Sequence, residues 1–117
     1  MSELPNDPLL GINIEQLVHN IKNKKISCEK VTESYLKRIK LLNKNLHSYI
    51  YIDYEGALKS AIAIDNLISA GANLGPLMGI PIAIKDICSV TGMPTTNGSI
   101  IKSELLFNKN TKKAIYI

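Results

Sequence analysis

The sequence predicts an α/β or α+β protein in which helices cover a sheet, because its segments follow the order helix, helix, strand, helix, strand. Three segments repeat apolar residues at spacings of three and four, as one face of a helix requires. Two short runs, SYIYI and IPIAIK, are rich in β-branched residues and have the length of strands. A chain of 117 residues is long enough to bury one compact core.

Each of the three predicted helices starts after a residue that can cap it. Asn13, Ser27 and Asp53 have side-chain oxygens that can accept hydrogen bonds from the first free N–H groups. The first helix is expected to end near Lys24 and the third at Gly71. The apolar faces are Ile14, Leu17, Val18 and Ile21 in the first helix, Val31, Tyr35, Ile39 and Leu42 in the second, and Ala57, Ala61, Ile64 and Ile68 in the third.

The two predicted strands lie on either side of the third helix. The first, residues 48–52, follows an asparagine-rich break of the second helix at Asn43 and Asn45. The second, residues 80–85, alternates between isoleucines on one face and proline, alanine and lysine on the other. Lys85 is its last residue. Ligand sites of open α/β sheets lie beyond the carboxyl ends of strands, so this lysine either points into a cleft or marks the exit of the strand into water.

The positive charge is concentrated near the end of the sequence. The formal net charge is +4, and residues 102–117 carry +3 of it, which leaves +1 for the first 101 residues. A solvated tail is the preferred interpretation, and a site for a polyanion is the alternative. The charged tail residues are Lys102, Glu104, Lys109, Lys112 and Lys113.

Cysteine usage and hydropathy exclude several classes of protein. Cys28 and Cys88 are sixty positions apart and form no CxxC pair, so neither a zinc site nor a disulfide framework is expected. The first residues lack the basic start and apolar run of a secretory signal, which predicts a cytoplasmic protein. No apolar stretch approaches the roughly 20 residues that cross a bilayer. We expect no metal and no cofactor.

Two motifs in residues 75–99 carry a family resemblance. GPLMGIPIAIKD, followed by GMPTTNGS, resembles the start of the core of the amidase-signature family, and KKISCEKVTESYLKRIKLLNKNLHSYIYI resembles its N-terminal helices and the strand after them. The likeness covers residues 12–101. It implies an incomplete N-terminal portion of that fold, with helices packed on a mixed sheet. The chain is then one partial domain, with an N-terminal extension at 1–11 and a divergent basic tail at 102–117.

By this resemblance Lys85 corresponds to the lysine of the family's Ser-cisSer-Lys triad, in which a bridging serine relays a proton between the lysine and the nucleophilic serine. A free lysine has a pKa near ~10.4 and is a weak base at neutral pH, but burial in an apolar site can lower that pKa by several units. A neutral amine can take the proton of a serine and later return one to the departing amine. The isoleucine-rich strand is expected to supply such surroundings.

The polar residues that follow Lys85 are interpreted as structural. Asp86 is expected to bond loop amides. The hydroxyls of Thr95, Thr96 and Ser99 flank an Asn-Gly turn signal, and side chains in such places usually bond the local backbone. Burial as a small apolar side chain is the preferred interpretation of Cys88.

The sequence departs from the family pattern after about residue 101. The Gly-Ser-Ser-Gly-Gly-Ser stretch that holds the bridging serine is absent, and residues 99–117 contain no glycine. A truncated or frame-shifted gene is the expected cause. A base without its nucleophile cannot form the covalent intermediate, so we expect no amidase activity from this chain alone.

Three functions remain open at this point. The leading one is a fragment of a hydrolase that cleaves carbon–nitrogen bonds of a small-molecule amide, and AGANLGPLMGIP favours a general amidase. The second is a fragment of the A subunit of glutamyl-tRNA(Gln) amidotransferase, which has the same signature and releases ammonia from glutamine. The third is a non-enzymatic remnant or binding module, supported only by the basic tail. Nucleic acid is not expected as a partner, and the sequence does not identify partner subunits.

Overall fold

The computed structural model describes Asp7 and residues 9–101. It contains three helices, α1 (Ile14–Lys22), α2 (Cys28–Leu46) and α3 (Tyr54–Ser69). The chain divides into two compact units. Met1–Tyr49 and Tyr54–Pro81 form the first, called here the helical unit, and Ile50–Asp53 and Ile82–Ile117 form the second, called here the loop unit.

Helix α1 begins as the sequence predicts, at a capping box. The Asn13 side chain accepts a hydrogen bond from the Gln16 N–H at 2.8 Å, and the Gln16 side chain accepts one from the Asn13 N–H at 3.3 Å. Leu17, Val18 and Ile21 are buried, which confirms three of the four residues on the predicted face. The fourth, Ile14, is exposed because it is the first residue of the helix and lies before the turns that pack against the core.

Helix α1 ends at a left-handed residue. Lys24 has a φ of 56°, its N–H donates to the Ile21 carbonyl, and the Lys25 N–H donates to the Asn20 carbonyl, both at 2.9 Å. These two bonds are those of a Schellman motif, which normally has glycine where this chain has Lys24. The predicted end of the first helix is therefore confirmed to within two residues.

Helix α2 starts at the predicted cap and ends later than predicted. The Ser27 hydroxyl accepts a hydrogen bond from the Lys30 N–H at 3.1 Å. The helix continues through both asparagines that were expected to break it and stops at His47, which is left-handed with a φ of 49°. Asn43 remains helical because its side chain bonds outside the helix, with its Oδ1 accepting from the Tyr49 N–H and its Nδ2 donating to the Tyr49 carbonyl.

Helix α3 begins directly after Asp53 and ends in the same motif as α1. The Gly71 N–H donates to the Ile68 carbonyl and the Ala72 N–H donates to the Leu67 carbonyl, both at 3.0 Å. Gly71 has a φ of 88°, which glycine adopts without strain. The predicted glycine stop is confirmed.

The apolar core lies in the helical unit, where α2 and α3 pack against each other. Ala61 is buried at the centre of the small-residue face of α3, and Ile64 and Ile68 on the same face are partly buried against the core. Leu9 is also in the core, although it lies in the segment predicted as an N-terminal extension. The buried core residues are Leu9, Leu17, Ile21, Cys28, Val31 and Ala61.

The two predicted strands are not formed within the described residues, so the mixed sheet is not part of this structure. Residues 48–52 and 80–85 adopt no regular structure except for a bend at residue 50. A strand exists only when its N–H and C=O groups pair with a neighbour, and no such ladder is present in residues 9–101. Three of the isoleucines that would cover a sheet, Ile50, Ile82 and Ile84, are instead exposed.

Candidate functional site

Lys85 lies in the loop unit, at the end of the segment predicted as a strand. Its side chain is exposed, and within the described part of the chain its amino group makes no hydrogen bond or ion pair. Its backbone carbonyl accepts a hydrogen bond from the Cys88 N–H at 2.9 Å, which closes a turn immediately after the lysine. The lysine is therefore carried on an ordered backbone, but the described residues do not enclose it.

Asp86 joins this turn to a second one. Its carboxylate accepts hydrogen bonds from the Thr96 N–H at 2.8 Å, from the Thr96 hydroxyl and from the Gly98 N–H at 3.0 Å. Its carbonyl accepts a fourth bond from the Asn97 N–H at 3.1 Å. The Thr96 hydroxyl and the backbone N–H donors hold the pKa of the Asp86 carboxyl below its usual value. The prediction that this aspartate bonds loop amides is confirmed.

The hydroxyl groups of Thr95 and Ser99 also form hydrogen bonds within the loop unit. The Thr95 hydroxyl donates to the Cys88 carbonyl at 3.4 Å, and the Ser99 hydroxyl accepts from the Ile101 N–H at 3.1 Å. The turn signal is also confirmed, because the Ser99 N–H donates to the Thr96 carbonyl at 2.9 Å across two residues of positive φ. These hydroxyls therefore stabilise the turns that follow the lysine.

A second group of titratable side chains lies in the helical unit, where Asp65 of α3 binds the start of α2. Its two carboxylate oxygens accept hydrogen bonds from the Cys28 N–H at 2.7 Å and from the Glu29 N–H at 3.0 Å. Burial raises the pKa of the Cys28 thiol to about 12, and the adjacent Asp65 carboxylate adds to this shift. Cys28 is thus a protonated, fully buried core residue and not a nucleophile.

Asp7 forms an ion pair that the sequence interpretation did not include. It accepts hydrogen bonds from the Leu9 N–H at 2.9 Å and from the Arg38 guanidinium, with Arg38 Nε at 2.8 Å. Burial alone would raise the pKa of Asp7, but these bonds and the charge of Arg38 hold it below its usual value. The Arg38 guanidinium also lies 5.4 Å from the centre of the Tyr35 ring.

Two shallow grooves lined by described residues of the helical unit do not include Lys85. One, of about 470 Å³, follows α1 beside Glu15 and His19. The other, of about 290 Å³, lies at the carboxyl ends of α1 and α3. It is lined by Lys22, Lys24, Ile68, Gly71, Ala72, Asn73 and Met78. In Asp7 and residues 9–101, no three His, Cys, Asp or Glu side chains gather in a group that could hold a metal ion. No helix in that same part of the chain is both long and apolar enough to span a bilayer.

Comparison with known families gives a match that covers most of the chain. The family model for Amidase matches residues 30–111, a range that includes Lys85 and Asp86 and extends ten residues past position 101. The predicted domain boundaries at residues 12 and 101 are not tested by this match. No solved structure matches the chain.

Several curated proteins are similar to the chain over about three quarters of its length. The A subunit of glutamyl-tRNA(Gln) amidotransferase from Acidothermus cellulolyticus is 43% identical over 86 residues, which cover 74% of this chain and 17% of that protein. The proteins of the same name from Streptomyces coelicolor and Clostridium novyi are 37% and 38% identical, each over 93 residues that cover 80% of this chain and 19% of those proteins. The chain thus spans about one fifth of the length of these relatives.

Proposed function

Because the chain belongs to the amidase family, we propose that it supplies the lysine base of a hydrolase that cleaves carbon–nitrogen bonds of a small-molecule amide, other than peptide bonds. The observation that carries the proposal is the motif GIPIAIKD, which places Lys85 inside the residues that the family model matches. The ordered turns after Lys85 support it, because a catalytic base needs a fixed backbone.

In the proposed reaction Lys85 acts through a bridging serine. The uncharged amine accepts the proton of that serine, which takes the proton of the nucleophilic serine as its oxygen attacks the amide carbon. The proton then passes to the leaving nitrogen, the carbon–nitrogen bond breaks, and water hydrolyses the acyl-serine that remains. The glycine-serine stretch that would hold the bridging serine is absent from this sequence, so the chain provides the base alone.

The proposal also requires shielding that the described residues do not provide. A lysine amine is uncharged at neutral pH only when its surroundings keep water away. Lys85 and the neighbouring Ile82 and Ile84 are exposed in this structure. We therefore propose that the apolar cover of the site comes from polypeptide outside the described residues.

The chain alone tests the first part of the proposal. Purified protein is incubated with a simple aryl amide, and release of the aromatic amine is followed against a Lys85→Ala control. We expect no turnover above the uncatalysed background, because the nucleophile is missing. Turnover by the wild-type chain that Lys85→Ala abolishes would show that the chain is a complete catalyst.

A chimaera tests the role of the lysine itself. Residues 30–101 of this chain replace the matching residues of the Acidothermus cellulolyticus relative, and amide hydrolysis is compared between Lys85 and Lys85→Ala forms. A missing triad residue should lower the rate at least about a thousandfold. The matched control is Lys59→Ala, an exposed lysine paired with Glu55 on α3, which should leave the rate unchanged. Equal loss in both variants, or in neither, contradicts the proposal.

A second candidate function is that of an amidotransferase subunit, and the names of the relatives favour it. All three of these relatives are called the A subunit of glutamyl-tRNA(Gln) amidotransferase. This candidate uses the same lysine but takes glutamine as its amide. The same chimaera bears on the choice when it is compared with the unmodified relative. A shift in preference from glutamine towards an aryl amide would come from residues 30–101 of this chain and would favour a general amidase, whereas an unchanged preference for glutamine is what the amidotransferase candidate predicts.

A further inference from the structure

Asp86 has a dense set of hydrogen bonds, and all of them connect the segment after Lys85 to residues 96–98. Two backbone N–H groups and one hydroxyl donate to its carboxylate, and a third N–H donates to its carbonyl. The donors come from three consecutive residues, Thr96, Asn97 and Gly98. The turn at residues 96–99 is therefore held on the residue that directly follows the lysine.

These bonds fix the backbone on the carboxyl side of Lys85. The peptide group between Lys85 and Asp86 is held at its carbonyl by the Cys88 N–H at 2.9 Å. The next peptide group is held at its carbonyl by the Asn97 N–H at 3.1 Å, and the Thr95 hydroxyl binds the Cys88 carbonyl at 3.4 Å. Because the direction of a side chain follows from the backbone dihedral angles of its residue, the direction of the lysine depends on these contacts.

We infer that Asp86 is the positioning residue for Lys85, which acts by binding the 96–99 turn to the end of the lysine-bearing segment. A fixed direction of Lys85 matters for catalysis only if the proposed function is correct, but the hydrogen bonds of Asp86 that fix it do not depend on that function. The positioning is measured on the chain without any turnover. The ¹⁵N relaxation experiment described below tests only the role of Asp86, so a negative result there would leave the proposed role of Lys85 as the base intact. A negative result with the chimaera would contradict the role of Lys85 as the base and leave the positioning by Asp86 intact.

The chemistry of the contact requires an ionised carboxylate. All three groups that face the Asp86 side chain are donors, so each needs an oxygen with a free lone pair. An asparagine would turn an NH₂ group toward at least one of these donors and lose that bond. A glutamate keeps both oxygens and adds one methylene, so it should restore part of the contact.

The experiment measures the backbone order of Lys85 by ¹⁵N relaxation in the full chain. We expect an order parameter of about 0.8 at Lys85 and Asp86 in the wild type and below about 0.6 in Asp86→Ala and Asp86→Asn. Asp86→Glu should recover an intermediate value. Amides of α3, such as that of Lys59, should be unchanged in every variant, which separates loss of positioning from general unfolding.

Two further arms keep the test decisive. Thr96→Val removes only the hydroxyl bond and should lower the order at Lys85 by less than Asp86→Ala, while Ser99→Ala, whose hydroxyl does not contact Asp86, should have no effect. Because the pKa of the Asp86 carboxyl is lowered, the order at Lys85 in the wild type should persist below the ordinary aspartate pKa of 3.8 and fall only as the carboxylate is protonated. An order parameter at Lys85 that is the same in wild type, Asp86→Ala and Asp86→Asn overturns the inference.

Discussion

The helical unit and the loop unit are stabilised by different interactions. In the helical unit, residues from α1, α2 and α3 bury apolar side chains in one core, and caps satisfy the helix ends. In the described part of the loop unit, turns and the hydrogen bonds of Asp86 fix the backbone, while Ile82, Ile84 and Ile87 remain exposed. The difference shows that the segment around Lys85 is held by polar contacts, and that the described residues give it no apolar cover.

The largest effect is expected from Gly79→Ala in the helical unit. Gly79 is buried with a φ of +73°, and a Cβ there would collide with the Cys28 side chain and touch Ile21. Overpacking of about 1–3 kcal/mol and a left-handed cost of about 1–2 kcal/mol add to a loss of about 2–5 kcal/mol. The measurement is urea unfolding followed by circular dichroism at 222 nm.

Gly75→Ala is the matched control, because Gly75 also has a positive φ, of +95°, but nothing within 4 Å of its added Cβ. It should lose only the left-handed cost of about 1–2 kcal/mol. Equal losses in the two variants would mean that the contact with Cys28 is not a tight part of the core. That result would contradict the statement that tight apolar packing stabilises the helical unit.

Asp65→Ala is expected to cost about 2 kcal/mol. The substitution removes the acceptor of two N–H groups at the start of α2, those of Cys28 and Glu29. Because Cys28 is buried, its N–H group would be left without a hydrogen-bond acceptor. Ser27→Ala, which removes the local cap on the Lys30 N–H, should cost about 1 kcal/mol. Hydrogen exchange of the Thr96 and Gly98 amides should stay unchanged in both variants. Faster exchange there would show that the two units do not keep separate stabilities.

The sequence predicts the helical unit well because its signals are local. Helix periodicity and caps depend on residues a few positions apart, so Asn13, Ser27 and Gly71 could be identified from the chain alone. The contacts that were missed join distant positions. Asp65 binds Cys28 across 37 positions and Arg38 binds Asp7 across 31, and no spacing rule points to either pair.

The candidate site is less predictable for a related reason. The turn chemistry around Asp86 is local and could be expected, since Asn-Gly and a preceding Thr-Thr favour a tight turn. A strand is not a local structure, because alternation of apolar residues in IPIAIK describes a surface that needs neighbours on both sides. The described chain contains no such neighbours, so residues 82–85 of this run form an exposed segment that ends at Lys85.

The pH dependence of stability should contain a contribution from Cys28. Its pKa is raised from 9.0 to about 12 in the folded chain, so the folded state favours the neutral thiol. The stabilisation is complete below pH 9 and is lost as the pH rises towards 12, because the unfolded thiol releases its proton first. Between about pH 8 and pH 10 this contribution should fall by about 1 kcal/mol in urea unfolding. The extra slope should vanish in Cys28→Ala and persist in Cys88→Ala, and its presence in both would contradict the assignment.

The smallest expected effect is a gain in stability at the end of α1. Helices α1 and α3 end in the same hydrogen-bonded motif, but the left-handed position holds Lys24 in one and Gly71 in the other. Lys24→Gly should stabilise the chain by about 0.5 kcal/mol, since glycine adopts a positive φ without strain but loses more freedom on folding. Gly71→Ala should destabilise it by about 1 kcal/mol, because a Cβ there meets no atom within 4 Å and only the backbone cost remains. Thermal unfolding of the two variants should therefore shift in opposite directions by a few degrees. A shift in the same direction would mean that Lys24 makes a compensating contact, for which the groove beside α3 offers the surface.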